Sequence, residues 1–91
     1  MIVEIEFYTK AKCGLCDKAM ALLEPIAKEE GATIRKVDIE ADPALKERFG
    51  TLIPVIAIDG NVLFTYRVDP EQARKHIRRA RATANAGRGN R

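Results

Sequence analysis

Residues 3–16 read VEIEFYTKAKCGLC and contain the only two cysteines of the 91-residue chain, Cys13 and Cys16. Apolar residues alternate with polar ones from Val3 to Phe7, which is the period of a β-strand with one buried face. The cysteines follow where this pattern gives way to apolar residues at helical spacing. Two thiols three residues apart at the first turn of a helix can meet and exchange a disulfide. The stretch therefore predicts a strand, a loop, and a helix that begins at a reactive cysteine pair.

Length and composition place this pair in one small globular domain. The chain is 46% hydrophobic and 32% charged, and 91 residues leave no room for a separate substrate domain. No apolar run approaches the roughly 20 residues that a membrane helix requires. The first residues carry two acidic side chains where a secretory signal carries basic ones. We therefore expect a cytoplasmic protein without membrane contact, in which a close cysteine pair is catalytic, redox-sensing or metal-binding.

The first half of the chain predicts two strands, each followed by a helix. Apolar positions at helical spacing predict a helix over residues 14–30. Its expected apolar stripe consists of Leu15, Ala19, Leu22, Leu23, Ile26 and Ala27. Pro25 removes one hydrogen bond inside this helix and predicts a kink or a local break. Residues 33–39 predict a second strand, and Asp42 is the expected N-cap of a short helix over residues 43–49.

The second half predicts a hairpin and a third helix. Pro54 opens an apolar strand at residues 55–58, and Asp59 and Gly60 form a two-residue turn of the primed kind. Residues 62–66 then return antiparallel to that strand. The complete order of elements is βαβαββα.

The third helix is the start of a segment rich in basic residues. Asp69 is its expected cap, and a thin apolar stripe is expected to dock it. That stripe consists of Ala73, Ile77 and Ala80. Residues 72–91 hold seven Lys or Arg and no acid, but no aromatic residues interleave them, so nucleic-acid binding is not expected. A solvated helix end is the simpler interpretation. We predict one domain over residues 1–82 and a basic, disordered tail over residues 83–91.

The C-x-x-C motif at the end of the first strand, the proline opening the third strand, and the order of elements together resemble the thioredoxin fold in its glutaredoxin-like form. The resemblance covers about residues 2–80, and it is closer still to a bacterial family of small glutaredoxin-like proteins. The stretches that carry it are Tyr8-Thr9-Lys10, Cys13-x-Leu15-Cys16-Asp17, Val37-Asp38-Ile39, Phe49-Gly50-x-x-Ile53-Pro54-Val55 and Asp59-Gly60. It implies a thioredoxin-like α/β fold, with a mixed four-stranded sheet flanked by three helices. It also implies a cis peptide between Ile53 and Pro54, beside the cysteines.

Cys13 is the predicted nucleophile, because the N–H groups and the dipole at a helix N-terminus stabilise an anion. Lys10 and Lys12 lie close in sequence, where they favour the thiolate and attract acidic substrates. Cys16, one turn further into the helix, is expected to be more buried and to resolve a mixed disulfide.

Ile53, Pro54 and Arg67 complete the predicted substrate site. If the peptide before Pro54 is cis, the backbone of Ile53 is expected to pair with an extended substrate segment, and Arg67 to contact a carboxylate. The sequence also departs from well-known relatives. Phe7 stands where thioredoxins carry a buried aspartate, and Tyr66 begins the pair that replaces two glycines of glutaredoxins.

The predicted function is thiol-disulfide exchange in cell redox homeostasis, by an oxidoreductase that requires no cofactor. Its partners are a protein or small-molecule disulfide and a reducing dithiol or glutathione, and glutathione stays open as reductant or substrate. The alternative is a non-catalytic thioredoxin-fold module whose cysteines sense redox state or bind a metal. One C-x-x-C is half of a four-thiolate site that a dimer could complete, and His76 is the only other soft ligand. We expect a monomer without a metal site.

Overall fold

The computed structural model describes the backbone of residues 2–89 and the side chains of residues 2–83. Its elements are β1 Glu4–Thr9, α1 Gly14–Glu30, β2 Thr33–Asp38, a 3-10 turn Ile39–Ala41, α2 Pro43–Phe49, β3 Val55–Ile58, β4 Asn61–Thr65 and α3 Pro70–Gly89. The predicted order βαβαββα and the α/β class are confirmed. Within the described part of the chain, no helix has the length and apolar character needed to cross a membrane.

The four strands form one mixed sheet in the order β2-β1-β3-β4. β1 pairs in parallel with β2 and antiparallel with β3, and β3 pairs antiparallel with β4. The hairpin turns through Asp59 and Gly60, whose φ angles of 52° and 78° are those of the predicted primed turn. All four residues of β3 are buried, so this strand forms the centre of the molecule.

The two faces of the sheet pack against different helices. Ile5 of β1 lies in the core together with Leu23 of α1 and Ile77 of α3. Tyr8 lies three residues further along β1, so its side chain is on the opposite face of the sheet. Its ring packs against Phe49 of α2, with ring centroids 4.7 Å apart. α1, the helix that begins with the cysteine pair, therefore packs beside α3 on one face of the sheet, whereas α2 lies on the other face.

α1 has the predicted ends, and of the predicted kink or local break at Pro25 the break is absent. The helix is continuous across Pro25, where the carbonyl that loses its partner belongs to exposed Ala21 and can bind water. Leu15 and Leu22 were expected in the buried stripe, but each is 46% exposed. They lie at the margin of the face that meets the core, because the sheet and α3 cover only part of the helix. The buried residues of α1 are Cys16, Ala19, Leu23, Ile26 and Ala27.

α3 begins and docks as predicted. The carboxylate of Asp69 accepts hydrogen bonds from the N–H groups of Glu71 and Gln72 at 3.0 and 3.3 Å. Ala73 and Ile77 are buried in the core. The helix is described as far as residue 89. The predicted boundary between a domain and a disordered tail stays a prediction. The last two residues of that tail lie outside the described part of the chain.

A charged cluster joins the end of α1 to α3. The buried carboxylate of Glu30 accepts hydrogen bonds from Arg74, Arg78 and Arg81, the shortest at 2.9 Å, and Arg74 also bonds Glu29 at 3.0 Å. The hydrogen bonds from Arg78 and then Arg81 lower the pKa of Glu30 to about 2. These three arginines therefore do more than form a solvated helix end, because they also join two helices, while the side chain of Arg78 stays 60% exposed.

Candidate functional site

Cys13 occupies the N-cap position of α1, and its sulfur accepts a hydrogen bond from the backbone N–H of Cys16 at 3.2 Å. Its carbonyl already accepts from the N–H of Asp17 at 3.1 Å, as the carbonyl of a cap residue does. The usual cap side chain offers an oxygen to the free N–H groups of the first turn, whereas here a sulfur does so. A thiolate at this position would lie at the positive end of the helix dipole.

The two cysteines form a disulfide, with Cα atoms 5.2 Å apart. Cys16 is only 2% exposed, whereas Cys13 is partly buried at the margin of the core. A substrate arriving from solvent therefore meets Cys13 first. This order of burial is the expected one, and the assignment of nucleophile and resolving thiol stays a prediction.

The peptide between Ile53 and Pro54 is cis, as the resemblance implies. Pro54 directly precedes β3, whose first residue, Val55, pairs with Tyr8 near the end of β1. The cis segment therefore lies at the end of the sheet from which the loop to Cys13 departs.

The backbone around Ile53 is tied down on both sides. The N–H of Tyr66 donates to the carbonyls of Leu52 and Pro54, at 3.2 and 3.0 Å. Among the residues that the structure describes, neither the N–H nor the carbonyl of Ile53 has a hydrogen-bond partner. Both groups therefore lack a partner inside the described part of the molecule, and Ile53 as a whole is 8% exposed.

The predicted cations lie on segments that meet at this end of the molecule. Lys10 and Lys12 are exposed in the loop from β1 to α1, and Lys12 has a left-handed φ of 56°. Arg67 lines a groove together with Leu15, the residue that directly precedes Cys16. Within the described part of the chain, none of the three cations forms an ion pair. They can therefore meet an anionic ligand.

A cleft of about 160 Å³ reaches buried Cys16. Its lining includes Phe7, which has no titratable group, and three charged residues, Asp17, Glu24 and Lys36. No sequence spacing links these three charged residues, because only the packing of α1 against the sheet brings them together. The carboxylates of Asp17 and Glu24 are the groups in this cleft that can accept a proton leaving Cys16, whereas the Lys36 ammonium has no acceptor.

Tyr8 lies near the site, but its hydroxyl group does not act as a base there. Its burial, and then the negative charge of Glu6, raise the pKa of its hydroxyl. That hydroxyl donates a hydrogen bond to the carboxylate of Glu6 at 3.2 Å. Tyr8 therefore remains protonated and serves to pack against α2.

Candidate metal ligands do not gather around the cysteines. Among the side chains that are described, no group of three or more His, Cys, Asp or Glu is arranged to hold a metal ion. His76 packs edge to face on Phe64, with ring centroids 5.7 Å apart, and lines a separate cleft of about 380 Å³ with Ile58 and Asp59. That cleft lies at the far end of β3 from Pro54, so His76 and the cysteine pair do not form one site.

Comparison with known proteins finds relatives whose names contain glutaredoxin or thioredoxin. The family described as Glutaredoxin-like domain (DUF836) matches residues 4–78. A Methanothermobacter thermautotrophicus protein named "Probable Thioredoxin" is 36% identical over 67 residues, which cover 70% of this chain and 79% of that protein. A glutaredoxin-like protein of Dictyostelium discoideum is 28% identical over 76 residues, or 77% of this chain and 70% of that one. Thioredoxin 1 of Thermosipho africanus, 18% identical, superposes with a TM-score of 0.64 over 90% of this chain and 98% of its own, which shows the thioredoxin fold.

Proposed function

The chain belongs to the Glutaredoxin-like domain family, and from this premise we propose that it is a thiol-disulfide oxidoreductase acting in cell redox homeostasis. Cys13 and Cys16 cycle between dithiol and disulfide. The observation that carries the proposal is the sulfur of Cys13 at the N-cap of α1, where it accepts the N–H of Cys16. This position stabilises the thiolate, which is the nucleophilic form of cysteine.

The reaction has two exchange steps. The thiolate of Cys13 attacks one sulfur of the substrate disulfide, forms a mixed disulfide, and expels the other sulfur as a thiolate that takes up a proton. The thiol of Cys16 then gives up its proton and attacks the sulfur of Cys13. The second substrate thiolate leaves and is protonated, and the Cys13–Cys16 disulfide forms. Two electrons have passed from the protein to the substrate, and a reducing dithiol or two molecules of glutathione return them.

Substrate binding uses the groups around this pair. The free N–H and carbonyl of Ile53, next to Pro54, pair with an extended segment of the substrate. Lys10, Lys12 and Arg67 attract its negative charge. We place the reaction in the cytoplasm, where reducing conditions keep the dithiol available, and we expect the protein to act as a monomer without a bound cofactor.

Trapping the mixed disulfide tests the proposal. The Cys16→Ser variant lacks the resolving thiol, so it is expected to accumulate a mixed disulfide through Cys13 when mixed with an oxidised protein or glutathione disulfide. Mass spectrometry of the intact protein and its peptides measures the product and its position. The Cys13→Ser variant is the matched control and should accumulate none.

Two results would contradict the proposal. A mixed disulfide through Cys16 in the Cys13→Ser variant would reverse the assigned roles. Wild-type protein that binds a metal ion through unreactive thiols, as measured by thiol titration and metal content in one sample, would favour the metal-binding module instead.

A further inference from the structure

A groove of about 300 Å³ runs along α1 from Leu15 to Leu22. It is lined by Leu15, Lys18 and Leu22 of α1 and by Tyr66, Arg67 and Val68, which connect β4 to α3. Leu15 lies between the two cysteines in sequence, so one end of the groove opens beside the disulfide. Leu15 and Leu22 are seven residues apart, which on a helix is about 10 Å, or roughly three residues of an extended chain.

Both walls of this groove expose large apolar side chains. Leu15, Leu22 and Tyr66 are each 46% exposed, and within the described side chains they are three of the five large hydrophobic residues that are exposed. The other two, Ile2 and Val62, lie outside the groove. Single exposed apolar residues are ordinary on a protein surface. A concentration of them along one groove marks an interaction surface.

Tyr66 occupies its place in the groove at a conformational cost. Its φ of 67° is left-handed, which is rare for a bulky residue, and glycine would adopt it without strain. Its N–H is held by the carbonyls of Leu52 and Pro54, so the backbone at this position is tied to the segment that presents Ile53. The turn itself requires no aromatic ring, and an observed backbone outlier of this kind points to a function for the side chain.

The charges of the groove define the chemistry of its occupant. Lys18 and Arg67 form no ion pair with any residue that the structure describes. A complementary ligand therefore carries an acidic group as well as a large apolar one. Glutathione supplies carboxylates, but it has no large apolar side chain and only one residue on either side of its cysteine.

We propose that this groove binds the segment of a protein disulfide substrate next to its reactive cysteine. The segment lies extended along α1, with a large apolar side chain between Leu15, Leu22 and Tyr66 and an acidic side chain near Lys18 or Arg67. This inference rests on the proposed function and makes protein disulfides, rather than glutathione disulfide, the preferred substrates.

Exchange kinetics with matched peptide disulfides test this groove. The probe is a short synthetic peptide with one central cysteine in a mixed disulfide with 2-thiopyridine. It has a leucine two residues to either side of the cysteine and an aspartate four residues to either side. A second peptide replaces both leucines by serine, and a third replaces both aspartates by lysine. Absorbance of the released thiopyridone gives the rate constant with reduced protein.

The variants separate the groove from the reactivity of the thiol. Leu22→Ser and Tyr66→Gly are each expected to lower the rate constant for the leucine-aspartate peptide by about tenfold, because a large apolar contact is lost. Both should react with 2,2′-dithiodipyridine, which needs no groove, within about twofold of wild type. Val62→Ser is the matched control for removal of an exposed apolar residue and should leave both rate constants unchanged.

Charge reversal supplies an independent readout. Arg67→Glu is expected to slow the aspartate peptide by about fivefold and to speed the lysine peptide, as the sign of the field reverses. Lys75→Glu makes the same change of net charge at an exposed position of α3 and should do neither.

Different outcomes refute the groove and the proposed function. The groove is refuted if wild type reacts equally fast with the leucine and serine peptides, or if the mixed disulfide of glutathione with 2-thiopyridine, which has the same leaving group, reacts as fast as the leucine-aspartate peptide. The proposed function itself fails if wild type reacts with 2,2′-dithiodipyridine but reduces neither the peptides nor glutathione disulfide.

Discussion

Cys13 combines the position of a helix cap with the proposed role of nucleophile. Serine or aspartate caps a helix with an oxygen, whereas the sulfur of Cys13 accepts the N–H of Cys16. Lys12, directly before it, has a φ of 56°, in the left-handed region that favours glycine. The chain therefore holds a cation one residue from the reactive sulfur in a conformation that a lysine does not prefer.

Substitution of Lys12 separates its charge from its backbone conformation. Lys12→Gly and Lys12→Gln both remove the cation, and we expect each to slow alkylation of Cys13 by iodoacetamide at neutral pH by about twofold. Lys12→Gly should in addition be more stable than Lys12→Gln by about 1 kcal/mol in urea unfolding, since glycine accepts a positive φ. Lys75→Gln, an exposed cation on α3, is the control. Equal stability of the two Lys12 variants would show that the left-handed conformation carries no cost.

Among the elements, α1 makes a different kind of contact at each of its two ends. Its first turn holds the cysteine pair. Its last residue, Glu30, binds three arginines of α3, and Gly31 ends the helix with a φ of 71°. The residues that line the proposed groove opposite α1, Tyr66 to Val68, lead into α3. The contact between Glu30 and α3 therefore joins the two elements that continue from the walls of the groove.

The cluster at Glu30 makes stability depend on acid pH in a defined direction. The pKa of Glu30 is lowered to about 2 from an ordinary value of 4.5. A lowered pKa means that the stabilisation is complete above about pH 4.5 and is lost as the pH falls from there towards 2. We expect Glu30→Gln to lower Tm by several degrees at pH 7, and the difference from wild type to shrink as the pH falls through this range.

Thermal unfolding at several pH values measures this effect. Glu47→Gln, on α2, is the matched control, because Glu47 is exposed and forms no ion pair among the described residues. A difference between wild type and Glu30→Gln that stays constant from pH 7 to pH 2 would contradict the role of the Glu30 carboxylate.

Across the whole molecule, which has a net charge of +3, some basic residues in the described part of the chain form ion pairs and others do not. Arg74, Arg78 and Arg81 are engaged by acids of α1. Lys10, Lys12, Lys18 and Arg67 form no ion pair in the described structure and lie on segments around the cysteine pair. These are four of the nine basic side chains that form no ion pair in the described structure, and they gather at the end of the molecule where a substrate disulfide would arrive.

This concentration predicts a salt-dependent reaction. Raising the ionic strength from about 0.01 M to about 0.5 M shortens the Debye length from roughly 30 Å to below 8 Å. We expect the rate constant for the aspartate-containing peptide disulfide to fall about fivefold, because electrostatic steering is lost. The reaction with neutral 2,2′-dithiodipyridine is the control and should change by less than about twofold. Equal salt dependence for both disulfides would contradict electrostatic steering.

Much of the fold was predictable from local signals. The cap at Asp69, the turn at Asp59 and Gly60, and the limits of α1 each depend on a few neighbouring residues, and the structure has all of them. Helical spacing placed Leu15 and Leu22 in a buried stripe, where they are not. Periodicity alone identifies which face of a helix is apolar. How much of that face is covered depends on how α1 lies against the sheet and α3.

The sequence by itself determined the order of elements, the cysteine pair and its place at a helix start, because caps, turns and periodicity act over a few residues. Only the tertiary structure decided that Arg74, Arg78 and Arg81 meet Glu30, and that Tyr66 faces Leu22 across a groove. Glu30 lies 44 to 51 residues from those arginines, and such distances are closed by the packing of whole elements. The cysteine pair of the proposed reaction is thus encoded locally, whereas the surface proposed to choose its substrate exists only once α1 and the β4–α3 connection have come together.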